Sequence, residues 1–330
     1  MITPDKAEFQ MPADPDVDWR WTETNFWPFC IPEARISGSL YLFAKPKLGV
    51  CMSDITVQDR IVSAWEDQIY VDNAQHLPCP QSLLDYELPN GLKVKAVEPN
   101  KHYEIDYVGI DDTEMHLEFN ALGDPWDIND PETDPLAHTR IGAGWDKAFS
   151  GHYELTGRIT GEARIRGTTY AVDCIDTADR SWGVRDDRSV TNITWLHGSF
   201  GEDLTLHAMA FIDPAHDENF GDLISGYVLE NGTAYGLVEI TGRSKRRGMY
   251  AMSSVIEVVD VRGQRYEITG STLNAGPLGP WPAVIYVQHF MRWNCAGKIG
   301  YGVQTDGVTR AYATRYRDLL ATGTGAPAAR

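Results

Sequence analysis

Short apolar segments separated by glycine- or aspartate-containing turns recur along this chain, about every ten residues in its second half, and this spacing limits the possible folds more than any other feature. Hairpin turns at such intervals join antiparallel neighbours, whereas parallel strands need longer crossover connections. The pattern therefore predicts an all-β protein made of antiparallel barrels or sandwiches. In the second half we predict strands at residues 152–159, 161–167, 169–175, 192–200, 203–212, 223–229, 234–240, 251–259, 264–270 and 284–292.

The first half is less regular. Residues 1–35, rich in Pro, Asp and Trp, predict an irregular arm over a β core, and the Asn90-Gly91 pair between apolar stretches is a strong hairpin signal. The polar residues 122–139 are predicted to form a long loop, which is either a lid or binding segment or a loop without a function of its own.

A domain boundary is predicted near residues 145–150, and it divides the chain into domains 1–148 and 149–330. Further strands are predicted at 39–44, 49–52, 60–65, 102–107 and 114–119, and a short helix at 314–321 before a loose tail.

The charge balance is strongly acidic, with 47 acidic against 29 basic residues and a net charge of −18. Nucleic acids and anionic membranes both attract clustered Lys and Arg, so neither is an expected partner. The one dense basic run, residues 243–247, is predicted to be a solvated turn. Five scattered cysteines, the lack of a signal-peptide pattern and the lack of an apolar run of ~18 residues predict a cytoplasmic protein with reduced thiols. A homo-oligomer is compatible with all of this.

Motifs for cofactors and metals are missing from the sequence. No Gly-x-Gly-x-x-Gly or Walker-type loop is present, and no Gly-x-Ser-x-Gly elbow supports serine hydrolysis. The nine histidines are dispersed and do not pair with nearby cysteines. We therefore expect chemistry, if there is any, without a cofactor and without a metal ion.

The densest group of charged residues lies at positions 173–188, directly after an apolar strand, and contains five aspartates, three arginines and one tryptophan. An arginine beside a carboxylate keeps it ionised and oriented, whereas a second carboxylate without such a partner can have a raised pKa and act as an acid. This group predicts either a proton-transfer site or an Arg–Asp network that only ties a turn to the barrel wall, and the sequence leaves both open. The candidate residues are Asp176, Asp179, Arg180, Arg185 and, as an apolar wall, Trp182.

Two later strands carry further candidates. The hairpin through residues 201–203 could bring His197 and His207 together as an alternative acid/base pair, with Trp195 beside them. The aromatic strand at 286–293 presents Tyr286, His289 and Trp293, which are candidates to line an apolar pocket. For all of these residues, ordinary core packing is the competing interpretation.

Three stretches resemble a known group of proteins: Gly151-His152-Tyr153-Glu154-Leu155, Val172-Asp173-Cys174 and Asp179-Arg180-Ser181-Trp182-Gly183-Val184-Arg185. They are similar to AttH-like proteins and carotenoid 1,2-hydratases of the calycin group, and more distantly to lipocalin-like Diels–Alderases. The resemblance implies two lipocalin-like β-barrels in tandem, with a hydrophobic cavity at or near their interface. It also implies cofactor-free hydration, cyclisation or isomerisation of terpenoid or polyketide substrates. Some members have Asp-His-Ser-Trp where this chain has Asp179-Arg180-Ser181-Trp182, so a histidine role there does not carry over.

These observations predict a cofactor-independent lyase, hydratase or isomerase that acts by general acid–base catalysis on a hydrophobic, cyclic or terpenoid-like small molecule. The alternative is a carrier barrel that holds an apolar ligand without reaction. The two differ in whether an Asp, Glu or His with a pKa-tuning partner reaches the ligand. A glycan-binding or sugar-processing β protein is a weaker third hypothesis.

Overall fold

The computed structural model describes residues 2–140, 149–185, 192–216, 220–279 and 284–322, and it forms two compact units. The first unit comprises Met1–Asp59 and Gln68–Asp186, and the second comprises Arg60–Asp67 and Asp187–Arg330. The division thus follows Asp186, whereas the sequence pattern placed it near residue 148. The reason is that the two long strands after residue 150 pair with strands of the first unit.

The first unit is built on an antiparallel eleven-stranded sheet with the order β4-β3-β2-β1-β11-β10-β8-β7-β6-β5, to which β9 adds beside β10. Its strands are β1 (Trp21–Ile31), β2 (Ile36–Lys45), β3 (Val50–Gln58), β4 (Tyr70–Pro78), β5 (Asp85–Glu87), β6 (Leu92–Glu98), β7 (His102–Val108), β8 (Glu114–Ala121), β9 (Trp126–Asp127), β10 (Gly151–Ile165) and β11 (Thr168–Val184). Its 3₁₀ turns lie at Pro4–Ala7, Pro32–Ala34, Pro46–Leu48 and Ala137–Arg140, and a further one, Trp65–Asp67, belongs to the second unit.

This sheet curls so that strands distant in the order meet across its interior. The Trp27 ring on β1 contacts Tyr103 on β7 and Phe119 on β8, with centroid distances of 4.6 and 5.5 Å. At the open side, the hydroxyls of Tyr70 and Tyr107 lie 2.6 Å apart and link β4 to β7. The concave face therefore holds the aromatic core of the first unit.

The second unit is a closed eight-stranded antiparallel barrel. Its strands are β12 (Ile193–Ser199), β13 (Leu204–Ile212), β14 (Phe220–Glu230), β15 (Thr233–Arg247), β16 (Tyr250–Asp260), β17 (Arg265–Leu278), β18 (Val284–Cys295) and β19 (Lys298–Thr309), and helix α1 (Arg310–Thr322) follows. Apolar side chains from seven of these strands meet in one cluster, which includes Leu196, Val228, Ile256, Met291 and Trp293. Among the described residues, no helix has the length and apolar character needed to cross a bilayer.

The all-β prediction with two lipocalin-like antiparallel units is confirmed. The predicted hairpin at Asn90-Gly91 is also present, with Gly91 at a φ of +91° between β5 and β6. Residues 122–139 contain only the two-residue β9 and the start of a 3₁₀ turn, as expected for a long loop.

Some local predictions were wrong. The arm at 1–35 contains β1, which lies in the middle of the sheet and is buried at all eleven positions, so it lacks the alternation that marks a half-exposed strand. Residues 60–65 are not a strand, because Ile61 forms an isolated bridge to Ala275 and Trp65 begins a 3₁₀ turn. The basic run 243–247 is the end of β15 rather than a turn, and β19 was not predicted.

Candidate active site

The charged group at 173–188 is not a turn after a strand, because β11 continues through it to Val184, and residues 186–188 lie outside the described part of the chain. Side chains on a strand alternate between the two faces of the sheet. Asp179 pairs with Glu154 on β10 and Phe26 on β1, whereas Arg180 turns to the other face and bonds Glu23. Consecutive residues of this segment therefore lie on opposite faces of the sheet, in two different environments.

Arg180 is an anchor inside the first unit. Its guanidinium forms an ion pair with Glu23 in which both side chains are buried, and it donates to the Glu8 carbonyl at 3.1 Å. The Glu23 carboxylate also accepts hydrogen bonds from the Trp21 indole and the Gln10 backbone N–H, each at 2.9 Å. These contacts tie the N-terminal residues to β1 and β11, which is the structural role that the sequence left open for this arginine.

Trp182 packs on the same interior face as Arg180, whose guanidinium carbon lies 5.3 Å from the Trp182 ring centroid. Its register partner is Gly151, and a Cβ at that position would come within 1.9 Å of the indole. The next residue, Gly183, has a φ of +152°, a conformation that side-chain-bearing residues rarely adopt. Trp182 thus belongs to the packing of the first unit.

The opposite face of β10 and β11 carries a cluster of titratable side chains. Glu154 and Asp179 are direct cross-strand partners, and Nε2 of His152 lies 2.8 Å from Oε1 of Glu154. His152 and Glu154 are buried, and Asp179 is partly exposed. Burial and the neighbouring Glu154 charge raise the pKa of Asp179 to about 7, although His152, Arg185 and Arg180 act in the opposite direction.

Arg185 brings a positive charge to this cluster. Its Nη2 donates to the Ser181 hydroxyl at 2.6 Å, and its guanidinium stacks over the Phe149 ring with a centroid distance of 4.0 Å. The Ser181 hydroxyl lies 2.6 Å from that of Thr24 on β1. The Arg185 charge lowers the pKa of Asp179 and so offsets part of the rise that burial and Glu154 cause.

Because burial and the Glu154 charge raise the pKa of Asp179 to about 7, part of the Asp179 carboxyl population is protonated near neutral pH. The carboxylate of Glu154 accepts from Nε2–H of His152, which leaves Nδ1 as the basic nitrogen. Within the described residues, that Nδ1 is buried and has no hydrogen-bond partner. This face therefore places a carboxyl group with a raised pKa, Asp179, beside an oriented imidazole, His152. A proton donor and a proton acceptor of this kind are the two groups that general acid–base catalysis requires.

Asp176 is separated from this cluster because it projects from the Arg180 face of β11. It is fully buried, and its Oδ1 accepts a hydrogen bond from the Thr177 backbone N–H at 2.8 Å. Burial raises the pKa of its carboxyl to about 7. Asp176 and Asp179 therefore do not form one site. Because the Asp176 carboxyl is buried, we expect it to affect the free energy of unfolding.

We expect Asp176→Asn to change how stability depends on pH. Because the folded pKa of about 7 exceeds the ordinary aspartate pKa of about 4, wild-type stability should fall as pH rises from about 4 to about 7. The variant lacks this loss, so its free energy of unfolding relative to wild type should improve by up to about 4 kcal/mol over that range. Urea unfolding at several pH values measures this. Asp173→Asn, on the same strand but exposed and paired with Arg158, is the control and should show no such gain. Equal pH slopes for wild type and Asp176→Asn would contradict the assignment.

The barrel of the second unit brings His197 and His207 together as predicted, as direct cross-strand partners on β12 and β13. Both are buried. The His207 ring lies between the rings of Trp195 and Tyr227, with centroid distances of 4.9 and 5.5 Å. These residues form an aromatic–histidine surface on the strand face opposite the apolar cluster of the barrel.

The three candidates on β18 have different surroundings. Both ring nitrogens of His289 are engaged, Nδ1 with the Gln304 carbonyl at 2.7 Å and Nε2 with the Ala251 N–H at 3.0 Å, and burial lowers its pKa. Trp293 lies in the apolar cluster and donates its indole N–H to the His197 carbonyl. Tyr286, which is half-buried, lies over Gly307. His289 and Trp293 therefore have packing roles, and Tyr286 stays a proposed contact.

His152 and Glu154 were not among the predicted site residues. The sequence did contain an indication of them. His152 and Glu154 alternate with Tyr153 and Leu155 on a predicted strand, so they share one face of it, and a carboxylate on a strand of a β core is unusual. Among the described residues, no set of three His, Cys, Asp or Glu side chains is arranged to hold a metal ion.

Comparisons with known proteins agree with this architecture. A family model described as "Domain of unknown function (DUF7064)" matches residues 6–305 of the chain. A search of curated proteins found no match. Kievitone hydratase from Nectria haematococca superposes over 88% of this chain and 89% of its own, with a TM-score of 0.52 and 11% identity. CghA in complex with Sch210972 covers 88% and 89%, with a TM-score of 0.54 and 10% identity.

A putative AttH from Nitrosomonas europaea is also similar, over 88% of this chain and 91% of its own, with a TM-score of 0.48 and 13% identity. At these identities, kievitone hydratase and CghA show a shared fold. The resemblance to AttH-like proteins that the sequence indicated is confirmed at that level.

Proposed function

The chain belongs to the DUF7064 family, and within that family we propose that it is a hydratase that adds water to, or removes it from, a hydrophobic alkene by general acid–base catalysis. The observation that carries the proposal is the Glu154–Asp179 carboxyl pair with His152 bonded to Glu154. Kievitone hydratase, which has the same fold, is named for a reaction of this type.

In the proposed reaction the Asp179 carboxyl donates its proton to one carbon of the double bond, and the positive charge forms on the other carbon. A water molecule adds to that carbon and loses a proton to Nδ1 of His152, so the product is the alcohol. Proton loss from His152 and proton uptake by Asp179 then reset both groups. The Phe26 ring, directly beside Asp179 in the register, is suited to stabilise the cation through its π face.

Each neighbouring charge has a role in this scheme. Glu154 holds a proton on Asp179 by repulsion and orients His152. Arg185 limits how far the pKa of Asp179 rises, so the acid remains able to release its proton. Because every step uses only side chains of this cluster, the proposal includes no cofactor.

The test is incubation with a panel of alkenes in ¹⁸O-labelled water without added cofactors. The panel contains kievitone and the terpenoids geraniol and farnesol. We expect one labelled oxygen in the product of at least one compound, by mass spectrometry. Saturable binding of the panel without any product would instead favour the carrier alternative.

The pH dependence of that reaction is a further prediction. Because Asp179 must be protonated and its pKa is raised to about 7, kcat/KM should fall as pH increases through about 7, roughly tenfold per pH unit above it. Glu154→Gln removes the repelling charge, so the same limb should move to lower pH. A profile that stays flat from pH 6 to about pH 9 in the wild type would argue against Asp179 as the acid.

A further inference from the structure

The Phe149 ring lies against two members of the proposed site. Its centroid is 5.4 Å from that of the His152 ring, with the ring planes at 85°, and 4.0 Å from the guanidinium carbon of Arg185. His152 and Arg185 are buried, whereas Phe149 is partly exposed. A single aromatic ring therefore contacts both the residue proposed as the base and an arginine whose charge acts on Asp179.

Arg185 has this ring over its guanidinium and a hydrogen bond at its edge. Its Nη2 donates to the Ser181 hydroxyl at 2.6 Å, and that hydroxyl lies 2.6 Å from the Thr24 hydroxyl on β1. A planar guanidinium can stack on a ring and donate from its edge at the same time. Arg185 is 7% exposed, and cation–π contacts are stronger where water is excluded. Phe149 thus contributes to fixing the position of the positive charge.

The long loop of residues 122–139 holds the backbone that carries this ring. The N–H of Ile128 donates to the His152 carbonyl at 3.2 Å, next to the point where β9 pairs with β10. The Asn129 side chain donates from Nδ2 to the Phe149 carbonyl at 3.0 Å. Asn129 itself is exposed, so this bond does not depend on burial of the asparagine in the core. The loop therefore anchors the chain at both residues whose rings meet.

We infer that Phe149 is a positioning residue, whose ring fixes Arg185 and His152 relative to each other. Asn129 in turn holds Phe149 from the loop. The inference rests on the proposed function, because it takes Asp179 as the acid whose surroundings the ring controls. It also gives residues 122–139 a role in the site that is neither a lid nor a loop without a function.

The charged groups that act on Asp179 determine what loss of the ring should do. Burial and the Glu154 charge on β10 raise the pKa of Asp179, and the charges of His152, Arg185 and Arg180 lower it. The residue opposite on β1 is Phe26, which does not titrate. Arg180 is tied to its buried partner on the other face of the sheet, so loss of the Phe149 ring should displace Arg185 instead. Displacement of that charge raises the pKa of Asp179.

Titration of Asp179 by ¹³C NMR tests the inference without a substrate. Phe149→Leu keeps an apolar side chain over the site but removes the π face, so the Asp179 midpoint should move to higher pH. Arg185→Met should move it in the same direction and at least as far, because the charge itself is absent. In the Arg185→Met background, Phe149→Leu should produce a smaller shift than in the wild type, because the ring then has no guanidinium to position.

Three further variants make the test specific. Phe149→Tyr keeps the ring and should retain the wild-type midpoint. Tyr235→Leu removes a ring that stacks at 3.4 Å on Arg262 in the second unit, so it is the matched control and should leave the midpoint unchanged. Asn129→Ala should move the midpoint to higher pH by less than Phe149→Leu does. Since Asn129 is exposed, this variant decides if Phe149→Leu does not fold.

An unchanged midpoint, or a midpoint at lower pH, in the folded Phe149→Leu or Asn129→Ala protein would overturn the inference. Equal shifts from Phe149→Leu with and without Arg185→Met would also overturn it, and so would a shift of the same size from Tyr235→Leu. Hydration of a panel alkene alongside any of these results would leave the proposed function standing. The expected shifts in a protein that hydrates no panel alkene would instead contradict the proposed function.

Discussion

Replacing Asp179 by Asn should abolish hydration while leaving the protein folded. The amide cannot donate the proton that the reaction needs, and loss of a positioned general acid lowers turnover about 10²- to 10⁴-fold. The unfolding free energy above neutral pH should stay the same or increase, because the substitution removes the repulsion from Glu154. Steady-state turnover of an active panel alkene, measured with urea unfolding on the same preparation, separates the two effects.

The matched control for this variant is Asp173→Asn. This aspartate lies on the same strand but is exposed, and Arg158 holds its pKa below the usual range. Its replacement should leave turnover within a few-fold of wild type. Comparable losses in both variants, or full activity of Asp179→Asn, would contradict the role of Asp179 as the acid.

Replacing Arg180 by Met should have the opposite signature, namely a large loss of stability with little change in chemistry. The substitution leaves Glu23 as a buried carboxylate without its cation and removes the bond to the Glu8 carbonyl. Breaking a buried ion pair in this way costs about 3–5 kcal/mol. Urea unfolding at neutral pH measures this loss, and turnover per folded molecule should stay within a few-fold of wild type.

Two controls make the Arg180 prediction specific. Arg158→Met removes an exposed pair on the neighbouring strand and should cost about 1 kcal/mol or less. The double variant Arg180→Met with Glu23→Gln should regain part of the stability, because the buried charge is then absent. A stability loss for Arg180→Met no larger than for Arg158→Met would contradict the anchoring role, and so would a selective loss of turnover.

Asp179 and Arg180 have different predicted roles because side chains on a strand alternate between the two faces of the sheet. From the sequence, residues 173–188 were interpreted as one charged group in a turn, with a structural tie and a catalytic cluster as the alternatives. Once β11 is known to continue through Val184, alternation assigns Arg180 and Trp182 to the interior and Asp179 and Ser181 to the other face. The contacts give Arg180 a structural role, and we propose a catalytic role for Asp179.

The fold class could be predicted from the sequence because turns and apolar segments are local signals. The strand β1 was not predicted, because both of its faces are buried and its Thr22, Glu23, Thr24 and Asn25 do not alternate between polar and apolar. The extent of β11 was also missed, since five aspartates in a short stretch resemble a turn. Tertiary burial overrides propensity at both places.

The candidate site depended on register, which local sequence does not determine. Glu154 lies opposite Asp179 within the β10–β11 hairpin, but the strand predicted there ended at residue 175, before Asp179. Phe26 lies opposite Asp179 because β1 pairs with β11, and these two strands are far apart along the chain. The hairpin that joins His197 to His207 was predicted because a short turn fixes its register. The buried pair of Arg180 and Glu23 joins residues 157 positions apart, and no local pattern indicates it.

The central claim is that Asp179 keeps a proton near neutral pH because it is partly buried beside Glu154. Titration of the side-chain carboxyl groups by ¹³C NMR, with Asp179→Asn and Asp176→Asn for assignment, tests this directly. We predict two aspartate signals that titrate near pH 7, one of which disappears in each variant. An Asp179 signal that completes its titration below about pH 5, as an ordinary aspartate does, would contradict the account.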